Sequence, residues 1–415
     1  MTKISSLTLI GSSSGRNAGD AAIIAGLMSS VDKAVGRKLV YEIPTYRPEF
    51  IKTSYVEDAR PVSMLPWHGS VGMYGLPSLA SVKRTDGILI FDNMLFDRAI
   101  NNPLFNFMPA AKWLCKEGKK SGKFLACYDI GAGPVATDRG RKMLAEIGQM
   151  MDFISVRDED SMSLLREIGV TRPIILTADA ALSVASAPEG IVKRALAEVG
   201  ISADEPILAI NVNAYLNTWT DDASKPLTKE EFATIYARAL DKIAAKLKVP
   251  LLFVCTQHHD IEITNLVRQR LTTRVKQAMI TNEKLGHHEI KGIFGKVGLL
   301  FAMRLHASIL CSSAGTPVCS LAFQKKVKSY FSVLGLSEYT LSFKEFSEDA
   351  LVAHVLKAWE NRAQIRKQLS TRIPELIEKA DLAAEVIALV SSGVSAEEAV
   401  QQVQGTSSVS KVQNR

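Results

Sequence analysis

Arg304 and His306, separated by a single leucine in the run Ala302-Met303-Arg304-Leu305-His306-Ala307, form the sharpest chemical signal in this chain. An apolar run precedes them. A short helical pattern closed by Gly315 follows, and Pro317 then leads into the next apolar run. Both side chains are therefore expected where a strand gives way to a helix N-terminus, a place where backbone N–H groups and the positive end of the helix dipole favour an anion. A guanidinium adds a two-pronged clamp for carboxylate or phosphate, and an imidazole brings a proton that titrates near neutral pH. That combination describes an anion site with an acid beside it. The same residues admit a second reading, in which Arg304 pairs with a structural carboxylate and His306 caps the helix.

Other polar groups follow apolar runs in the same way: Asn211 and Asn213, then Gln257, His258, His259 and Asp260, then Gln324 with Lys325. Near the start, Gly11-Ser12-Ser13-Ser14-Gly15-Arg16-Asn17-Ala18-Gly19-Asp20 joins the first strand to the first helix. It matches neither the Walker phosphate loop nor the dinucleotide fingerprint. Asp20 reads equally as a helix N-cap. The adjacent pairs His258-His259 and His287-His288 lack the spacing of a metal site, so no metal is expected. There is no G-x-S-x-G elbow, and the cysteines sit in apolar runs rather than in the electropositive, exposed setting of a nucleophile.

The elements that must position these groups are short apolar runs alternating with helical patterns, the rhythm of βα units around a mainly parallel sheet. Strands are expected at 7–10, 39–43, 87–91, 124–128, 153–156 and 174–177, and in a second series at 207–211, 251–254, 299–303 and 318–321. Helices are expected at 20–30, 139–151 and 161–168. Phe232, Ile235, Leu240, Ile243 and Leu247 form a helical core stripe, and the pattern is helical from Ser347 to Ser392. Punctuation by Pro188, Gly190, Gly200 and Pro206 places a boundary near residue 185. The fold class is α/β, divided as 1–185, 186–345, C-terminal helices over 346–400 and a disordered tail over 401–415.

With 415 residues, the chain can bury two ordinary cores. A net charge of +7 spread over 22% charged residues is modest, and the densest basic group, Lys325, Lys326 and Lys328, is too small for a nucleic-acid footprint. Five cysteines without framework spacing and no secretory leader point to a cytoplasmic protein. No run reaches the roughly 18 apolar residues that span a bilayer, so membrane contact is expected to be peripheral at most, at the inner face.

Over residues 5–340 the chain resembles the polysaccharide pyruvyltransferase family. The resemblance rests on Asn17-Ala18-Gly19-Asp20, Gly131-Ala132-Gly133-Pro134, Ser155-Val156-Arg157-Asp158 with Ser161, Thr177-Ala178-Asp179, Met303-Arg304-Leu305-His306-Ala307, and Gly315 to Pro317 followed by Lys325 and Lys328. Where the family often has a Gly-Gly pair, this chain has Asp92-Asn93-Met94, which bears on the acceptor. The resemblance implies two Rossmann-like domains facing across a cleft, similar to the two-domain GT-B glycosyltransferases, with an N-terminal acceptor side and a C-terminal phosphoenolpyruvate side. It implies that Arg304, Leu305 and His306 hold phosphoenolpyruvate, with Arg157 a second cation, Lys325 and Lys328 nearby, and His306 the acid. Asp20 is the expected base, and Asn17 would hold the sugar. His258 would contact the diphosphate or nucleotide of an activated acceptor. No cofactor is expected beyond phosphoenolpyruvate as co-substrate. The acceptor is a sugar of a surface or exopolysaccharide precursor; its carrier, lipid or nucleotide, and the oligomeric state, a homo-oligomer included, are left open. Two rivals share the architecture: a nucleotide-sugar glycosyltransferase, in which Arg304 and Lys325 would bind the diphosphate, and a non-catalytic glycan-binding member.

Overall fold

The computed structural model describes residues 3–55, 57–64, 75–102, 105–214 and 227–406. The chain divides into two compact units, the first made of Met1–Gly15, Asp20–Val184 and Leu376–Arg415, the second of Arg16–Gly19 and Ala185–Glu375.

Among the described residues, the first unit is a seven-stranded sheet wrapped in helices. In chain order its elements are β1 (Ser6–Ile10), α1 (Ala18–Val35), β2 (Val40–Thr45), α2 (Pro48–Ser54), β3 (Asp58–Ser63), α3 (Gly75–Arg84), β4 (Gly87–Phe91), α4 (Met108–Lys120), β5 (Phe124–Ile130), α5 (Asp138–Met150), β6 (Phe153–Val156), α6 (Glu159–Glu167) and β7 (Ile174–Leu176). Every pairing is parallel, in the order β3-β2-β1-β4-β5-β6-β7. Central strands such as Gly-Ile-Leu-Ile-Phe are apolar on both faces because helices cover both. Ile88, Ile90, Leu125 and Cys127 bury one face against Leu114, Cys115, Leu144 and Ile147 of α4 and α5.

The second unit repeats the plan with α7 (Glu189–Glu198), β8 (Leu208–Asn211), α8 (Lys229–Leu247), β9 (Leu251–Cys255), α9 (Asp260–Arg268), β10 (Gln277–Thr281), α10 (His287–Phe294), β11 (Leu299–Ala302), α11 (Leu305–Ser313), β12 (Val318–Ala322), α12 (Lys325–Val333), β13 (Thr340–Ser342) and α13 (Glu348–Glu360). Its sheet is parallel, in the order β10-β9-β8-β11-β12-β13. The core stripe of α8 buries Phe232 and Tyr236, and Tyr236 stacks on Phe301 of β11 at 5.6 Å between ring centres. Thr228 starts α8 with a reciprocal capping box to Glu231, and Lys248 ends it in the left-handed conformation.

Two long elements finish the chain. α14 (Arg362–Ser391) passes from the second unit into the first at Leu376, one residue beyond the Pro374–Glu375 step inside it. α15 (Ala396–Thr406) then packs on β6 and β7. Regular helix over 401–406 corrects the expectation of a disordered tail from Gln401 onward: Ala399, Val400 and Val403 are buried, so the segment gains apolar cover that its polar composition hides. Residues 407–415 lie outside the described residues. The C-terminal helices are likewise not one block but divide between the two units. No helix among the described residues is long and apolar enough to cross a membrane.

Candidate anion and proton-transfer site

In an open parallel sheet, ligands favour the carboxyl ends of the strands where the winding direction reverses. The strand orders put that reversal between β1 and β4 in the first unit and between β8 and β11 in the second. Arg304 and His306 follow β11 directly, so in the second unit the sharpest sequence signal falls at the reversal.

There, Asn211 at the end of β8 ties three strands together. Its Nδ2 donates to the Val254 carbonyl of β9 at 2.9 Å, and its Oδ1 accepts from the Arg304 N–H at 3.1 Å. Arg304 is thereby fixed as the residue preceding α11, with Leu305 as the first helical residue, buried, and His306 next, half-buried. The Arg304 guanidinium lies against Asp260, the first residue of α9. Its Nε donates to one carboxylate oxygen and its Nη2 to the other at 2.6 Å. Asp260 is fully buried and also accepts from the Ala214 N–H at 2.9 Å. The two-pronged edge that the sequence offered to a substrate is therefore turned to a structural carboxylate, the second of the two readings left open. The Arg304 guanidinium is therefore half of an ion pair.

The four residues Arg16–Gly19 complete this site. Asn17 forms an antiparallel bridge with Gln257, the Ala18 N–H donates to the Thr256 carbonyl at 2.8 Å, and the His258 N–H donates to the Arg16 carbonyl at 3.1 Å. Asn17, not Asp20, occupies the cap position of α1, its Oδ1 accepting from the Gly19 N–H at 2.9 Å. The carboxamide oxygen expected to hold a sugar is thus engaged at home. Asp20 lies in the first helical turn and belongs to the first unit. The rings of His258 and the exposed His259 lie 3.7 Å apart between centres, tilted by 41°, and partial burial together with the His258 ring holds the His259 imidazole below its ordinary pKa. Lys325 opens α12 on the surface, and exposed Lys328 donates to Ser342 Oγ at 3.1 Å, at the end of β13. Among the described residues no group of three or more His, Cys, Asp or Glu side chains is placed to hold a metal ion.

The first unit carries a second polar cluster, at the carboxyl ends of β4 to β7. Arg157 follows β6 with a buried side chain and donates through Nη1 to Asp179 at 2.7 Å. Burial works against its charge, yet Asp179, Asp92 and Asp158 outweigh it and raise the guanidinium pKa. Asp129, in β5, is 1% exposed and adopts a φ of 48°. Its Oδ1 accepts from Ser155 Oγ at 3.0 Å and Thr177 Oγ1 at 2.6 Å. Burial lifts its carboxyl well above the usual range despite those two donors. A Cβ on Gly131 would come within 3.1 Å of Arg157 Nη2, so the backbone passes close to the guanidinium. Asp158 and Ser161 serve locally: Asp158 caps α6 by accepting from the Ser161 N–H at 2.7 Å, and Ser161 Oγ accepts from the Ala132 N–H at 2.9 Å.

The sequence reading brought together Arg304, Leu305, His306 and the 257–260 run but gave Asp260 and Gly19 no role, because pairing across three strands leaves no local trace. Asp129 had a signal that went unused, an acid inside an otherwise apolar strand.

A family model described as polysaccharide pyruvyl transferase matches residues 17–324. No curated protein matches by sequence. Among solved structures, the chain is similar to S. aureus MnaA bound to UDP (TM-score 0.61, 12% identity, covering 93% of this chain and 95% of that one). It is also similar to the Neisseria meningitidis UDP-GlcNAc 2-epimerase bound to UDP-GlcNAc (0.59, 10%, 92% and 99%) and to Anabaena HepE in complex with UDP and glucose (0.55, 10%, 97% and 99%). At such identities the likeness establishes the two-domain α/β fold of the GT-B enzymes. With the match spanning Asn17 through Gln324, and so every segment from the Asn17-Ala18-Gly19-Asp20 turn to the Arg304-Leu305-His306 corner, this chain belongs to the polysaccharide pyruvyl transferase family.

Proposed function

We propose that the protein transfers the enolpyruvate unit of phosphoenolpyruvate onto two hydroxyls of a sugar in a surface-polysaccharide precursor, leaving a cyclic pyruvate ketal and free phosphate. The observation that carries this reading is the Arg304-Leu305-His306 corner at the strand-order reversal of the second unit. Phosphoenolpyruvate presents a phosphate and a carboxylate side by side, which suits a helix N-terminus and a guanidinium held in place by Asp260. His306 gives a proton to the terminal carbon of the enol double bond, which becomes a methyl group and leaves cationic character on the second carbon. One sugar hydroxyl adds to that carbon and loses its proton. The second hydroxyl then displaces phosphate and loses its own proton, closing the ketal. Asp20 takes the role of base, while Arg157, Asn17, His258, Lys325 and Lys328 are binding residues in this reading. Phosphoenolpyruvate is the only small-molecule partner besides the acceptor, and the reaction is placed in the cytoplasm.

The test is phosphate release from phosphoenolpyruvate with a panel of sugar precursors, run beside the same panel with nucleotide sugars. His306→Ala removes turnover and keeps phosphoenolpyruvate binding, whereas Arg304→Ala loses binding. The UDP-bound relatives of the fold favour a second reading, transfer from a nucleotide sugar. Release of nucleoside diphosphate without phosphate would establish that reading instead.

A further inference from the structure

We propose that Gly19 is a positioning residue that fixes the ring of His306, an inference that rests on His306 being the acid of the proposed transfer. Gly19 is helical and does not sit at positive φ, so the backbone does not require glycine there. Alanine at the same place would favour the helix. What excludes a side chain is His306: a Cβ on Gly19 would fall on the Cβ, Cγ and Nδ1 atoms of that residue, closer than real Cβ atoms pack. Both backbones are tied by hydrogen bonds at this point. The Gly19 turn is held by the Ala18–Thr256 and His258–Arg16 hydrogen bonds and by Asn17 Oδ1, and the start of α11 is held by the Arg304 N–H on Asn211. Ring rotation can clear Cγ and Nδ1 but not Cβ, so an added methyl group displaces the whole His306 residue and its ring with it. Gly19 is thus the floor on which the Cβ–Cγ–Nδ1 edge of His306 rests, and both residues belong to the second unit.

Gly19→Ala tests this with three readouts on the full chain. Turnover falls on the order of 100-fold, as for a reacting group displaced by about an ångström, while the phosphoenolpyruvate KM changes little. The ¹³Cε1 resonance of His306, assigned by its loss in His306→Ala, shifts. In a stability cycle, Gly19→Ala lowers the Tm of the wild-type background but not that of His306→Gly, which lacks all three colliding atoms. Normal turnover in Gly19→Ala, an unmoved His306 resonance, or an equal Tm loss in both backgrounds would each overturn the proposal. Full activity in His306→Ala would instead sink the acid assignment, and the stability cycle still reports the packing by itself.

Discussion

Replacing Asp129 by asparagine isolates one proton from the rest of the molecule. Asp129 is buried, accepts two hydroxyl hydrogen bonds on Oδ1, and has no hydrogen-bond partner on Oδ2 among the described residues. Its folded-state pKa is raised, so between the unfolded value of about 3.9 and the folded value the native state binds the extra proton. Stability from this group is therefore highest at low pH and is lost as pH rises, by about 1.4 kcal/mol per unit, until the folded pKa is passed. Asparagine keeps the φ of 48°, which it tolerates well, and keeps one oxygen for Ser155 and Thr177. Its amide adds a buried donor costing about 1–3 kcal/mol, a cost that does not change with pH. The assay is urea unfolding of wild type and Asp129→Asn at four pH values between 5 and 8, with hydrogen exchange of β5 peptides reading the same opening locally. The wild-type advantage over the variant should shrink steadily with rising pH. A difference that stays flat across that window refutes a native state carrying the proton.

Three further outcomes follow from the hydrogen-bond geometry. Asp260→Asn strips the buried charge from Arg304 and should cost about 3 kcal/mol, seen as a lower Tm, with weaker phosphoenolpyruvate binding by calorimetry. Arg157→Met leaves Asp179 buried without its cation and should cost about 3–5 kcal/mol in urea unfolding, whereas Arg157→Met with Asp179→Leu recovers most of the loss. Thr228→Ala removes the capping box of α8 and should cost about 1 kcal/mol, with faster amide exchange confined to the first turn of that helix.

The β-strands that the sequence exposes are those buried on both faces, because only uninterrupted apolar runs stand out from the background. Gly87–Phe91 and Leu251–Cys255 were legible for that reason. β3, with exposed positions and Pro61, and β10, in which buried and half-buried residues alternate, were not. The Arg304–His306 corner was visible because strand, helix and cap signals coincide within a few residues. Its partners were hidden, since Asp260 and Gly19 reach it through the fold rather than through spacing. Arg157 was singled out by family likeness, but its engagement with Asp179 is a fact of packing, twenty-two residues away along the chain.

All five cysteines are buried, and burial pushes every thiol up, Cys115 and Cys255 to about 12. Cys115 and Cys127 belong to the first unit and Cys255, Cys311 and Cys319 to the second. An alkylating reagent at neutral pH consequently finds almost no thiolate until one of the units opens. Pulse labelling followed by peptide mapping then clocks the breathing of each half independently, without introducing a single probe.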